Sequence, residues 1–319
     1  MRMTIIILAV AAAVLGGLAA FTALGVRRIE QAHPPAGRFV EVSGGRLHLL
    51  ELGPADAPPV VLLHGASGNV ADMRVALGDG LARRYRVILI DRPGHGWSDR
   101  PGGRADASPA AQAALIHQAL ERIGVRRAIV VGHSWSGALA TAYALAYPDD
   151  VSGLVLLAPV TYHWPGGIGW YNPILATSVI GPLFAHTIAL PLGGFLVAPG
   201  IRNVFAPQPP PVGYRERAAV DLVLRPQELI ANAEDLADLK AFVTAQAPRY
   251  GAIQVPVTVM TADRDNTVSP RIHSEAIAKV LPRGKLIVLP GAGHMLHHTA
   301  ADRVIEEIGE IAGGNARAK

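Results

Sequence analysis

The sequence predicts an α/β protein with a mostly parallel sheet, helices on both faces, a helical insertion and a membrane-spanning helix at the N-terminus. Three observations predict this architecture. Short continuous apolar runs alternate with helical patterns, one long interval breaks the alternation, and the N-terminal residues form an uncharged apolar run. Continuous apolar strands separated by helices are typical of a parallel sheet that is covered on both faces.

The composition excludes several classes of protein. Of the 319 residues, 50% are hydrophobic and 17% are charged, which favours a large buried core over disorder. The formal net charge is +4, but Lys and Arg are scattered, so no nucleic-acid-binding surface is predicted. Because the chain has no cysteine, thiol catalysis, disulfides and cysteine-ligated zinc are excluded.

Residues 1–30 are predicted to form a membrane anchor. No charge lies within residues 4–26, and a membrane-spanning helix needs about 20 such residues. A cleaved secretion signal has an apolar run of only about 7–15 residues before a small-residue cleavage site, and it is the alternative here. Arg2 precedes the run and Arg27 and Arg28 follow it, so the positive-inside rule is nearly balanced. We expect a single-pass protein with its main domain outside the cytoplasm.

Apolar runs place the strands, and periodic patterns place the helices between them. Two runs flank Ser43-Gly44-Gly45 as a hairpin, and the others end in turn residues. We predict strands at residues 39–42, 46–51, 59–63, 85–90, 128–131, 151–157, 255–260 and 285–289. We predict helices at residues 107–123, 135–147, 272–281 and 300–311.

One interval lacks sheet strands. Between Pro159 and Val255 the chain carries apolar segments punctuated by Pro and Gly, followed by helical patterns. We therefore expect residues 161–250 to form a mainly helical insertion over the carboxyl edge of the sheet, where ligands of open parallel sheets bind. The core domain is then divided into residues 31–160 and 251–319.

The candidate nucleophile is a serine between a predicted strand and a predicted helix. Ser134 lies in Gly132-His133-Ser134-Trp135-Ser136-Gly137. A sharp strand-to-helix turn exposes such a hydroxyl, and the residues two positions away must be small. Gly132 and Ser136 are small, although the strict pattern has glycine in place of Ser136. The alternative role of Ser134 is that of a helix N-cap.

A serine hydroxyl is a weak nucleophile and needs a general base. His294 follows the last predicted strand in the Gly-rich segment Pro290-Gly291-Ala292-Gly293-His294, at the same edge of the sheet. His297, one turn further on, is the alternative base. We expect structural roles for His64, His95 and His133.

The base in turn needs a carboxylate that fixes its tautomer. The loop after strand 255–260 offers Asp263 and Asp265. Asp265 lies deeper in this loop and gives the chain order Ser, Asp, His, so we assign it as the acid. Asp263 is the alternative and would then be a turn residue at the strand end.

A developing oxyanion needs backbone N–H donors. The residue after the nucleophile, Trp135, should supply one donor. The loop His64-Gly65-Ala66-Ser67-Gly68 should supply the other, with Ala66 as the candidate.

Five segments together resemble the α/β-hydrolase superfamily, in the order expected for it. The resemblance runs from residue 39 to the C-terminal helix and is carried by His64-Gly65-Ala66-Ser67-Gly68, Asp91-Arg92-Pro93-Gly94-His95-Gly96-Trp97-Ser98, Gly132-His133-Ser134-Trp135-Ser136-Gly137, Asp263-Arg264-Asp265 and Gly291-Ala292-Gly293-His294. It implies an α/β-hydrolase fold with an eight-stranded sheet and a helical cap after the sixth strand. It also supports Asp265 as the acid. Family members that are epoxide hydrolases or haloalkane dehalogenases use an aspartate nucleophile, and Ser134 argues against both.

These residues predict a serine hydrolase that acts on a carboxylic ester or related acyl compound through an acyl-enzyme. No cofactor or metal is predicted. Residues 173–197 are very apolar, which indicates either packing of the cap on the core or a lipophilic entrance near a bilayer. The alternatives with the same triad are a perhydrolase, an acyltransferase and a C–C bond hydrolase, and a non-catalytic binding protein is a further one.

Overall fold

Eight strands form one sheet, with the spatial order β1-β2-β4-β3-β5-β6-β7-β8. The structure is a computed structural model that describes residues 1–317. β1 pairs antiparallel with β2 and β2 antiparallel with β4, while the other pairs are parallel. The strands are β1 (Arg38–Val42), β2 (Gly45–Leu52), β3 (Pro59–Leu63), β4 (Arg86–Ile90), β5 (Ala128–His133), β6 (Val151–Leu157), β7 (Val257–Ala262) and β8 (Gly284–Leu289).

The α-helices precede β1, lie between strands, form most of one long insertion and follow β8. Within residues 1–317 they are α1 (Arg2–Ala32), α2 (Val70–Met73), α3 (Asp79–Leu81), α4 (Pro109–Arg122), α5 (Ser136–Ala146), α6 (Asn172–Leu175), α7 (Ile180–Phe184), α8 (Leu190–Phe205), α9 (Tyr214–Arg217), α10 (Pro226–Gln246), α11 (Ser274–Val280), α12 (Leu296–Thr299) and α13 (Ala301–Arg317). The predicted α/β-hydrolase architecture with its mostly parallel sheet is confirmed.

The central strands are apolar throughout because both faces of the sheet are covered. In β3, Val61 and Leu63 join one cluster of buried side chains, and Val60 and Leu62 join the cluster on the opposite face. Successive side chains of a strand point to opposite faces, so a continuous apolar run supplies both clusters. The loops at the carboxyl ends of the parallel strands therefore extend from strands that are packed on both faces.

The insertion between β6 and β7 is helical and forms a cap that comprises α6 to α10. A π-helical turn, Ala185–Ala189, joins α7 to α8, so the chain is helical from Ile180 to Phe205. The sequence suggested interrupted segments here because of their glycines and prolines. Pro199 nevertheless lies inside α8. Gly193 lets Leu224 approach closely, since a Cβ there would lie 2.4 Å from Leu224 Cδ2.

The N-terminal helix α1 has the length and composition of a membrane span, with a mean hydropathy of 2.5 in its most apolar window. Residues 2–17 are exposed along their whole length, and Thr22 is buried against the cap. The second segment of this kind is Ile180–Phe205, with a mean hydropathy of 1.6. Within residues 1–317, the two helical segments that are both long and apolar enough to cross a membrane thus belong to the anchor and to the cap.

Candidate active site

Ser134 occupies a strained turn between β5 and α5. Its φ is 54°, in the left-handed region that non-glycine residues seldom adopt. A Cβ on Gly132 would lie 2.3 Å from Ser136 O, and one on Gly137 would lie 2.3 Å from Pro159 Cβ. Both glycines are therefore required by close packing. The position that departs from the strict pattern, Ser136, is buried and donates its hydroxyl to His64 O.

His294 and Asp265 lie side by side at the same edge of the sheet. His294 Nδ1 is 2.8 Å from Asp265 Oδ2, and both residues are buried. The other carboxylate oxygen accepts the backbone N–H groups of Thr267 at 2.8 Å and Val268 at 2.9 Å. Because the carboxylate is held on both oxygens, it favours the tautomer of His294 that carries the proton on Nδ1 and has Nε2 as the proton acceptor.

The alternative acid and the alternative base point elsewhere. Asp263 Oδ1 accepts the backbone N–H of Gly291 at 2.6 Å, which ties the ends of β7 and β8 together. His297 Nε2 lies 3.3 Å from Asp72 Oδ2. The geometry therefore favours Asp265 over Asp263 and His294 over His297.

Ser134 and His294 line one cavity of about 430 Å³ beneath the cap. Within residues 1–317 no hydrogen bond joins Ser134 Oγ to His294. Such a contact commonly tightens only when substrate is bound. The remaining wall is mostly apolar and comes largely from the cap, with side chains that include Leu192, Leu196, Val197, Leu224 and Leu229.

The two expected oxyanion donors flank Ser134. A Cβ on Gly65 would lie 3.1 Å from Ser134 Cβ, so the loop that carries Ala66 packs directly on the nucleophile. In the described part of the chain, neither Ala66 N–H nor Trp135 N–H has a protein acceptor. The next N–H in the loop, that of Ser67, donates to Asn232 Oδ1 of α10 at 2.7 Å. The cap therefore helps to hold the loop.

Trp135 also connects the active site to a buried ionic network. Its indole N–H donates to Asp235 O of α10 at 3.2 Å, and the Arg92 guanidinium lies 4.1 Å from its ring centroid. Arg92 Nη1 is 2.6 Å from Asp235 Oδ2, which also lies 2.9 Å from His95 Nε2. Burial alone would raise the pKa of Asp235, but the charge of Arg92 holds it below its usual range. The network was not predicted from the sequence, because only the fold brings Asp235 to Arg92.

Several histidines near the site are held neutral by burial. Burial, reinforced by Arg92, lowers the pKa of His64 to about 3 and that of His95 to about 4. Burial also lowers the pKa of His133 well below its usual range. These three residues, for which we expected structural roles, are buried and make internal contacts.

A second cluster, also missed, lies beside the cavity. Asp72 Oδ1 is 2.7 Å from His298 Nε2 and accepts the Tyr214 hydroxyl at 2.9 Å. With His297 these residues bring one carboxylate and two imidazoles together, and the potential ligand atoms of Asp72, His297 and His298 lie within 4.8 Å of one another. No metal was predicted because no second set of ligands with suitable spacing accompanies the adjacent histidines in the sequence, and Asp72 comes from the distant helix α2.

The fold and this arrangement define an α/β hydrolase. The chain belongs to the α/β hydrolase family, which it matches over residues 60–307. It is 26% identical to haloalkane dehalogenase 2 of Mycobacterium tuberculosis over 303 residues, which cover 89% of this chain and 97% of the dehalogenase.

Solved structures share the same fold. A thermophilic esterase from Thermogutta terrifontis has a TM-score of 0.70 at 22% identity, with 88% of this chain and 99% of the esterase covered. A membrane phospholipase A, described as a bacterial virulence factor, has a TM-score of 0.67 at 23% identity, with 98% of this chain and 97% of the phospholipase covered.

Proposed function

We propose that this protein is a membrane-anchored serine hydrolase that cleaves carboxylic esters or related acyl compounds. The observation that carries the proposal is the shared cavity of Ser134 and His294, with His294 Nδ1 2.8 Å from Asp265 Oδ2. Nucleophile, base and orienting acid are the three roles that acyl transfer by a serine requires.

The reaction proceeds in two steps. Ser134 Oγ attacks the acyl carbonyl while His294 Nε2 takes its proton, and Asp265 stabilises the imidazolium. The N–H groups of Ala66 and Trp135 bind the oxyanion. His294 then returns the proton to the leaving alcohol, and water hydrolyses the acyl-enzyme by the same sequence of proton transfers.

Serine at the nucleophile position favours acyl transfer over dehalogenation. Displacement of a halide by Ser134 would form an ether, which has no carbonyl for a water to attack and no oxyanion to stabilise. An acyl-serine has both and can turn over. The dehalogenase relative therefore supports the fold rather than the activity.

The anchor is supported by helix α1. Its uncharged residues 4–26 exceed the length of about 20 residues that a bilayer requires. The structural similarity to the membrane phospholipase A extends over 98% of this chain, so its fold match includes most of the N-terminal segment. A membrane-bound hydrolase with an apolar cavity is suited to lipophilic acyl substrates.

A fluorophosphonate probe tests the proposal on the full-length protein in detergent. We expect covalent labelling of the wild type and none of Ser134→Ala. Ser43→Ala, at an exposed serine in the turn between β1 and β2, is the control and should label normally. If folded wild type fails to label, Ser134 is not an activated nucleophile, and a binding protein on this fold becomes the better hypothesis.

A further inference from the structure

The C-terminal third of helix α1 packs on the cap. Thr22 Oγ1 donates to Thr187 O at 3.5 Å, and a Cβ on Gly25 would lie 2.3 Å from Leu190 Cδ2. Further along the helix, Glu30 Oε1 lies 3.4 Å from Arg225 Nη1 of the cap. The anchor therefore contacts the cap at three positions along α1, at Thr22, Gly25 and Glu30.

The length of the uncharged run then fixes the depth of the cap. Residues 2–17, which are exposed, rise about 24 Å at 1.5 Å per residue, less than the hydrocarbon thickness of about 30 Å. The uncharged run continues to Val26, and the first charges after it are Arg27 and Arg28. A helix whose uncharged run enters the hydrocarbon at Thr4 needs about 20 residues to cross about 30 Å, so residues 18–23 also lie in hydrocarbon. The cap segment packed on them lies at the same depth.

The cap segment has the surface that this depth requires. Residues 165–201 contain no Asp, Glu, Lys or Arg. Large apolar side chains are nevertheless exposed, with Phe195 81% and Val179 76% accessible. The apolar cap face is defined by these two residues together with Trp170, Ile180, Leu183, Ile188 and Leu196. Soluble surfaces seldom carry so many large apolar residues in one short segment.

Helix α8, which contributes Phe195 and Leu196 to the apolar cap face, also forms a wall of the active-site cavity. Leu196 is partly exposed on the apolar cap face and also lines the cavity. Its neighbours Leu192, Val197 and Gly200 line the cavity as well. α8 therefore lies between the apolar cap face and the cavity that contains Ser134.

From these observations we infer that the apolar cap face is immersed in one leaflet of the bilayer and that the substrate is an acyl lipid that enters from the leaflet past α8. This inference rests on the proposed serine hydrolase function. The acyl chain exchanges lipid contacts for the apolar wall of the cavity, and the ester group reaches Ser134. Arg27 and Arg28 lie at the level of the lipid phosphates, where cationic side chains are favourable.

Immersion is tested independently of activity, and the absence of cysteine makes single-site labelling simple. The full-length Phe195→Cys variant is labelled with an environment-sensitive fluorophore and reconstituted in phosphatidylcholine–phosphatidylglycerol vesicles. We expect quenching by nitroxide-labelled lipids and little quenching by aqueous iodide. Val280→Cys, on α11 of the core and 45% exposed, is the control and should show the reverse. Quenching of the Phe195 label by iodide rather than by the lipid nitroxides overturns the inference, whatever the enzyme cleaves.

Lipid entry is tested by comparing two substrates. In the Val179→Glu variant the carboxylate opposes immersion, because placing a charge in hydrocarbon is unfavourable. We expect unchanged hydrolysis of a short water-soluble ester and a loss of at least about tenfold with phospholipid in vesicles, while Val280→Glu changes neither. Equal activity of Val179→Glu and wild type on vesicles overturns the inference. If the wild type does not hydrolyse the short water-soluble ester, that result contradicts the proposed function rather than the inference about lipid entry.

Discussion

The Ser136 hydroxyl donates a hydrogen bond to the backbone carbonyl of His64, and both residues are buried. The bond joins the turn that holds Ser134 to the loop that carries Ala66. The residue that departs from the strict nucleophile pattern therefore links the proposed nucleophile to the proposed oxyanion loop.

Ser136→Ala removes this link at nearly constant volume. An unpaired buried carbonyl costs about 1–3 kcal/mol, so we expect the free energy of unfolding to fall by that amount in denaturant titrations. We also expect kcat to fall while KM changes little, because a looser oxyanion loop affects the transition state most. Ser136→Thr keeps a hydroxyl and tests the bond itself. Ser43→Ala, which removes an exposed hydroxyl bonded to Gln118 Oε1, is the control and should change kcat little. An unchanged kcat in Ser136→Ala would show that the loop is held without this bond.

Asp265→Asn should leave the fold intact and lower kcat by about 10⁴-fold, because the amide favours the wrong tautomer of the catalytic imidazole. Asp263→Asn is the matched control from the same loop. It weakens only a contact with the backbone of Gly291 and should retain most of the activity. Steady-state kinetics with one ester compares kcat of the two variants. A larger loss of kcat in Asp263→Asn than in Asp265→Asn would reassign the acid to Asp263.

Stability should fall as the pH is lowered from about 6.5 to 4. Burial lowers the pKa of His95, His273 and His297 to about 4. In this window the unfolded chain binds more protons than the folded one, so the free energy of unfolding rises with pH, by about 1.4 kcal/mol per unit for each such histidine. Urea titrations across this range measure the slope. His95→Gln should reduce it, whereas His163→Gln, at an exposed position, should not; an equal slope in all three proteins would refute the explanation.

Asp235→Asn should destabilise the protein strongly, since it leaves Arg92 charged and buried. Breaking a buried ion pair from one side costs about 3–5 kcal/mol. Asp238→Asn, on the same helix, removes an exposed pair with Arg104 and should cost less than about 1 kcal/mol. Denaturant titrations of both variants measure the difference. A similar small effect of both would mean that the buried network contributes little to holding the cap.

The sheet and the proposed triad could be predicted because their signals are local. A few neighbouring residues suffice to predict each element. The apolar run of Pro59–Leu63 predicts a buried strand, and the glycines around Ser134 predict a tight strand-to-helix turn. Asp235 and Asp72 could not be assigned, because their partners lie far away in the chain and only the fold brings them together. The continuous helix in the cap was also missed, because a glycine that accommodates Leu224 has the same appearance in sequence as one that ends a helix.

The contact between Arg92 and Asp235 bears on how this enzyme could be engineered. One partner belongs to the core and the other to the cap. A core grafted with the cap of another hydrolase would retain a buried guanidinium without a counter-charge, and the indole of Trp135 would lose its acceptor on α10. Cap exchange therefore has to be accompanied by replacement of Arg92, or by a new cap that supplies a carboxylate at the same point. Changes of specificity that leave α10 in place and vary α8 avoid this constraint.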